Sequence, residues 1–290
     1  VLVLAAVLAA AMMVRPFKEF QAKLHHVEQG ALDTDISSEA YRETRDISNS
    51  VAQTITKLQE ADQSRQEFVS NVSHELKTPL TTIKGFGEMF GSGMITRKED
   101  VLKYGSMIER ESERLLFLIN DIIRLSEIEE HTEELRTPVE LRTAAQDALQ
   151  ILEARVQQND IHVELKGDCL ILNSNDGYMR ELFINLIDNA IKYSNPGSTI
   201  TVSAEEVGNM IQVTVTDNGV GISEADLPHV KTKFFKANHT RRGSGIGLAV
   251  ADEIISMHGG RLDITSELNV GTNVTITLPV ESQRRSSATT

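Results

Sequence analysis

The chain has 290 residues, a formal net charge of −13, no Trp and a single cysteine, Cys169. That length asks for two or more domains, and one cysteine excludes an intrachain disulfide framework, which fits a reducing compartment. The negative charge is spread along the chain and argues against direct nucleic-acid binding, which would call for a basic face.

The first element in chain order is apolar. "VLVLAAVLAAAMMV", residues 1–14, carries no charge and ends at Arg15 and Pro16. It is shorter than the roughly 20 residues of a membrane span, and the chain does not open on Met. The run is therefore read as the end of a transmembrane helix belonging to a longer protein. Arg15, Lys18 and Lys23 follow it, so the positive-inside tendency predicts a cell-membrane protein with residues 15–290 in the cytoplasm. No basic segment precedes the run, which disfavours a signal-peptide core. Residues 15–62 read as a coiled-coil relay. Phe17, Phe20, Leu24 and Val27 mark one helix, "ALDTDISSEA" a polar connector, and Ile47, Val51, Thr54 or Ile55, and Leu58 a second helix at near-heptad spacing.

Residues 63–132 read as a helical hairpin. Phe68, Val69, Val72, Leu76, Leu80 and Ile83 recur at steps of three and four, the stripe of a packed helix. His74 is rotated by about 200° from Val72 and so points away from that stripe. A lone surface histidine is ordinarily no more than solvated. Here Glu75 is adjacent and Thr78 lies one turn on. Pro79 removes a backbone donor and tends to kink the helix just there, and this combination points to a built site. "GSG" at 91–93 ends the helix. A second helix spans about 98–130, with Val101, Ile108, Leu115, Leu118, Ile119, Ile122 and Leu125 as its stripe. Two such antiparallel helices leave apolar surface over, and dimerisation into a four-helix bundle covers it.

Residues 133–281 form the second domain. After the linker "RTPVELRT" come a helix at 140–158, strands in "IHVELKG" and "CLILN", and a helix at 176–193. A strand pair rich in Thr and Val follows, then a glycine-rich turn with a helix at 245–258, and two more strands. The expected fold is α+β, one mixed sheet with helices on a single face. The tail, 282–290, reads as disordered.

The chemistry-bearing residues cluster in this domain. Asn185 and Asn189 are one turn apart and nearly share a face with Lys192. Amide oxygen is a hard magnesium ligand and lysine neutralises phosphate. In "DNGVGI", Asp217 could accept from an exocyclic amine such as adenine's, and Gly219 and Gly221 would let backbone approach a ligand. "RGSGIGLAV" sets Gly243, Gly245 and Gly247 at a helix start, where bare amides and the helix dipole suit phosphate. Its spacing matches neither the dinucleotide fingerprint nor a Walker loop. Each glycine cluster alone could be an ordinary turn; amide, acid and glycine elements within about 140 residues are less easily dismissed.

With these residues the chain resembles the sensor histidine kinases of bacterial two-component systems along nearly its whole length. "SHELKTPL" is similar to the family's histidine box, "NLIDNAIKYS" to its N box, "DNGVGI" and "GSGIGL" to its two glycine boxes, and "KFFKAN" to its F box. Residues 15–62 resemble a HAMP relay much more loosely. The resemblance implies a Bergerat-type ATP-binding domain, shared with gyrase-type ATPases, and a homodimer through the hairpin. It implies ATP and Mg2+ as cofactors and a cognate response regulator as partner. His74 would be the phosphoacceptor, with Glu75 hydrogen-bonded to its Nδ1 as general acid or base. Thr78 would orient water for regulator dephosphorylation. Asn189 would hold magnesium, with Asn185, Lys192 and Tyr193 around the phosphates and nucleoside, and Asp217 would select adenine. Phe234, Phe235 and Lys236 would begin a lid, and the short stretch "ANHTRRGSG" predicts a small one. Gyrase-type relatives carry a water-activating glutamate where this chain has Asn185, so bound ATP should hydrolyse slowly and wait for His74. The rival readings are a regulator phosphatase, a nucleotide-binding scaffold without phosphotransfer and a degenerate kinase. His74 and Glu75 inside a bundle helix argue against the scaffold. Every box keeps its polar residue, which argues against degeneracy.

Overall fold

The computed structural model describes residues 42–130, 137–237 and 243–280. The expected membrane segment, the first relay helix with its connector, the segment 238–242 and the tail lie outside the described residues. Among the described residues no helix is long and apolar enough to cross a membrane. The chain divides into two units, residues up to His74 and residues from Glu75 on.

The first helix, α1, spans Arg42–Gly91. The second relay helix and the His74 helix are therefore one element, and the expected boundary at 62/63 falls inside it without a break. Pro79 lies within α1 and does not end it; its ring nitrogen leaves the Glu75 carbonyl without a helical donor. Just past it the Thr81 and Thr82 hydroxyls donate back to the Lys77 and Thr78 carbonyls, at 2.7 and 3.1 Å. Helix α2, Lys98–Glu130, opens with Glu99 and Asp100 in its first turn, where acidic side chains complement the helix dipole. Phe86 of α1 and Tyr104 of α2 lie 5.1 Å apart, centroid to centroid. The apolar positions of α2 do not form a single seam. Leu118, Leu125 and Ile128 are buried, Leu102, Leu116, Ile119 and Ile123 are exposed, and Ile108, Leu115 and Ile122 are half-buried between them.

The second domain departs from the expected single sheet. The linker "RTPVELRT" contains a strand, β1 (Thr137–Glu140), which pairs antiparallel with β3 (Ile171–Ser174) in a separate two-stranded sheet. Between them lie α3 (Leu141–Gln158) and β2 (His162–Gly167). Then follow α4 (Asp176–Tyr193), β4 (Thr199–Val207), β5 (Met210–Asp217), α5 (Gly247–Met257), β6 (Arg261–Glu267) and β7 (Gly271–Pro279). The main sheet is mixed, in the order β2-β4-β5-β7-β6, with β2 and β4 parallel and every other pair antiparallel.

The pleat explains how one sheet serves both core and site. Val202, Val215, Val274 and Ile264 stand in register across four strands, as do Ala204, Val213, Ile276 and Leu262. These point to the face that α3, α4 and α5 cover. The alternate positions Ser203, Thr214, Thr275 and Asp263 form a polar opposite face. Asp217 belongs to the helix-covered set, as the last residue of β5. The strand pattern thus carries one carboxylate to the end of an otherwise apolar face. The two edge strands carry charge, with Lys166 paired to Glu164 at 2.7 Å on β2 and Arg261 to Asp263 at 2.8 Å on β6.

Candidate nucleotide site

Helix α4 supplies the centre of the site. Its N-cap Asn175 accepts from the Gly177 amide at 2.8 Å, and Met179, Leu182, Phe183, Leu186 and Ile187 fix its buried face. The remaining stripe, Asn185, Asp188, Asn189 and Lys192, is half-buried. It lines one cavity of about 1340 Å³, more than the several hundred Å³ of an ordinary small-molecule site. The cavity also receives Tyr193, Asp217, Gly221, Phe235, Lys236, Gly243, Gly245 and Gly247. Residues from four separate sequence motifs are thus brought together.

Asp217 is 7% exposed. Burial holds its carboxyl above the ordinary aspartate range, partly opposed by the backbone amides of Gly219 and Thr272. The Gly219 amide donates to Oδ1 at 2.8 Å. The first two glycines are explained by the fold itself. A Cβ on Gly219 would collide with the Tyr193 carbonyl, and one on Gly221, whose φ is +65°, with the Glu267 carbonyl. The Val220 amide donates to the Tyr193 carbonyl at 3.0 Å, which ties this turn to the end of α4.

The second glycine turn is different, because polar side chains press on it. A Cβ on Gly243 would collide with the Lys192 ammonium, and one on Gly247 would lie 2.8 Å from Asn185 Oδ1. Gly245, at φ +78°, has the backbone of Phe234 and Phe235 against it. The Phe234 amide donates to the Gly245 carbonyl at 2.8 Å. Phe234 itself has φ +68°, costly for a bulky residue, and it does not line the cavity. Lys192 Nζ also stands 4.7 Å from the centroid of the Tyr193 ring.

Residues from the helical hairpin line the same cavity, which the sequence did not disclose. Glu75, Arg110, Arg114, Phe117 and Asp121 all contribute. Lys236 donates to Glu75 Oε2 at 2.8 Å, and Arg114 donates to the same oxygen at 3.3 Å. Asp121 accepts from the Ser244 hydroxyl, and burial holds its carboxyl above the ordinary range. His74 and Thr78 are exposed on α1. Two amides and a lysine beside bare helix-start backbone suit a polyphosphate. Among the described residues no group of three His, Cys, Asp or Glu side chains could hold a metal ion. The amide set instead fits magnesium carried by phosphate oxygens, which takes only one or two protein ligands.

Residues 64–131 match the His Kinase A (phospho-acceptor) domain, and residues 174–282 the histidine kinase-, DNA gyrase B- and HSP90-like ATPase domain. The chain is 34% identical over 225 residues to histidine protein kinase DivJ of Caulobacter vibrioides, covering 74% of this chain and 37% of that protein. It spans less than two fifths of the length of the first curated relatives it matches. Among solved structures, the Acinetobacter baumannii histidine kinase AdeS matches with a TM-score of 0.58 and 27% identity, over 72% of this chain and 98% of that one. Histidine kinase ThkA, solved with its response regulator protein TrrA, shares the fold at a TM-score of 0.60 and 22% identity, over 79% and 67%.

Proposed function

Since the chain belongs to the sensor histidine kinases of bacterial two-component systems, we propose that it transfers the γ-phosphoryl group of ATP to His74 and then to an aspartate of a cognate response regulator. The observation that carries this reading is the single cavity shared by the Asn185–Lys192 stripe, Asp217, both glycine turns and Glu75, the residue after His74. Asp217 would accept from the adenine amine. Asn185, Lys192 and the glycine backbone would hold the phosphates, and Asn189 the magnesium ion, whose charge offsets that of the phosphates. The imidazole Nε2 would attack γ-phosphorus while the bond to the ADP oxygen breaks and ADP leaves, so that positioning is the main catalytic contribution.

Glu75 would serve as the acid or base for His74. Its carboxylate is engaged by Lys236 and Arg114, and these cations compete with the imidazole for it. In this reading release of Lys236, as Phe234 leaves its strained backbone, accompanies activation. Exposed Thr78, one turn past His74, supports a second reaction on the same helix, hydrolysis of the regulator's phosphoaspartate. A homodimer through the hairpin and a membrane attachment through residues 1–14 complete the reading.

The test is incubation of the chain with γ-labelled ATP and magnesium, beside His74→Gln and Asn189→Ala variants. The expected result is label in the parent that is acid-labile and base-stable, and absent from both variants. An unlabelled parent that still binds nucleotide would leave the scaffold reading in place.

A further inference from the structure

A relay of side chains connects α2 to the phosphate end of the cavity. Arg124 Nη1 donates to both carboxylate oxygens of Glu181, at 2.7 and 2.6 Å. Asn185, one turn further along α4, donates its Nδ2 to the Glu181 carbonyl at 2.9 Å and to Glu181 Oε1 at 3.1 Å. Both amide hydrogens of Asn185 are thereby committed to one residue. Its carbonyl oxygen faces the opposite way, onto the bare backbone of Gly247 at the start of α5.

We propose that Glu181 and Arg124 are positioning residues for the magnesium–triphosphate group. Glu181 fixes Asn185 with its oxygen toward the glycine turn, and Arg124 cancels a carboxylate charge that would otherwise repel the phosphates. The inference rests on the nucleotide-site reading above and adds two residues that do not touch the ligand. It also makes the site bipartite. Arg124 belongs to the hairpin and Glu181 to the ATPase domain, so the phosphate end is complete only when α2 is docked. By linkage, nucleotide binding and docking of α2 then favour each other by the same factor.

The experiment is calorimetric titration of the whole chain with a non-hydrolysable ATP analogue and magnesium, each variant first checked for a folded melting transition. Arg124→Ala leaves the Glu181 charge uncompensated and is expected to weaken binding roughly five- to tenfold, less so at high salt. Arg124→Gln, which keeps the stem of the side chain, should behave alike. Adding Glu181→Gln to either removes the charge but keeps an oxygen for Asn185, and should recover most of the loss. Adding Glu181→Leu removes the charge together with the side-chain acceptor, leaving Asn185 only the backbone carbonyl, and should not. Binding by the Arg124 variants within twofold of the parent would overturn the inference. So would equal recovery by the Gln and Leu second changes. A parent that binds no nucleotide would instead overturn the site reading on which it rests.

Discussion

Gly219 and Gly221 show what single residues decide here. Each has backbone carbonyl oxygen where a side chain would stand, and Gly221 needs a left-handed φ as well. Gly208 has a similar φ of +66° but open space around it. Gly221→Ala should therefore cost more than about 2 kcal/mol, and Gly208→Ala about 1; urea midpoints would measure both. Only the need for glycine was legible in "DNGVGI". The sequence suggested room for a ligand, whereas the obstacles are Tyr193 and Glu267 carbonyls, and no local pattern announces a carbonyl 46 residues away. Asp217 supports a second expectation. Its carboxyl titrates above the usual range because burial disfavours the charge. The ionised form thus detracts from folding, so stability should rise as pH falls through the folded-state value toward that of the unfolded chain. Affinity for adenine nucleotide should fall over the same interval, as the acceptor takes up its proton. Asp217→Asn should flatten both trends, as followed by melting temperature and by nucleotide titration across weakly acidic pH.

At the scale of elements, α2 is the helix whose periodicity was most ambiguous. Its apolar positions suggested one wide stripe, and the structure divides them into buried, half-buried and exposed sets. The Leu118–Leu125–Ile128 set is buried, with α2 packed on α5. Leu125, 1% exposed, should cost about 2–5 kcal/mol when cut to Ala, read from urea unfolding. Leu116 and Ile123, at 61% and 50% exposure, are one heptad apart on a face that the proposed homodimer would cover. Leu116→Glu with Ile123→Glu should give a monomer by sedimentation while far-ultraviolet circular dichroism stays unchanged. Most element ends were legible to within a residue or two, because "GSG" and the alternating Thr and Val runs are local signals. The strand in "TPVE" was not, since its partner "ILNS" lies more than 30 residues on and pairing alone makes either a strand. Nor was the continuity of α1 across 62/63, because near-heptad spacing runs from one segment into the next and no Gly or Pro marks either a break or its absence; the passage through Pro79 to the "GSG" stop was expected and is what the helix does.

For the whole molecule, the order of motifs along the chain identified the family, yet it did not say what the cavity contains besides them. Glu75, Arg114 and Asp121 line it because of how α1 beyond His74 and α2 meet the ATPase domain, a tertiary matter with no sequence period. The same holds for Arg124 and Glu181, 57 residues apart, which look like ordinary surface charges when read singly. The charges on the two outer strands matter at a different level again. A sheet with open sides is a template on which further copies can zip, and concentrated or partly unfolded protein is where that danger lies. Lys166 with Glu164 at one rim, and Arg261 with Asp263 at the other, would have to lose water before another strand could settle there, which disfavours such stacking. The rims act as gatekeepers of colloidal behaviour, a burden quite apart from chemistry, and one that a search for catalytic residues would never reveal.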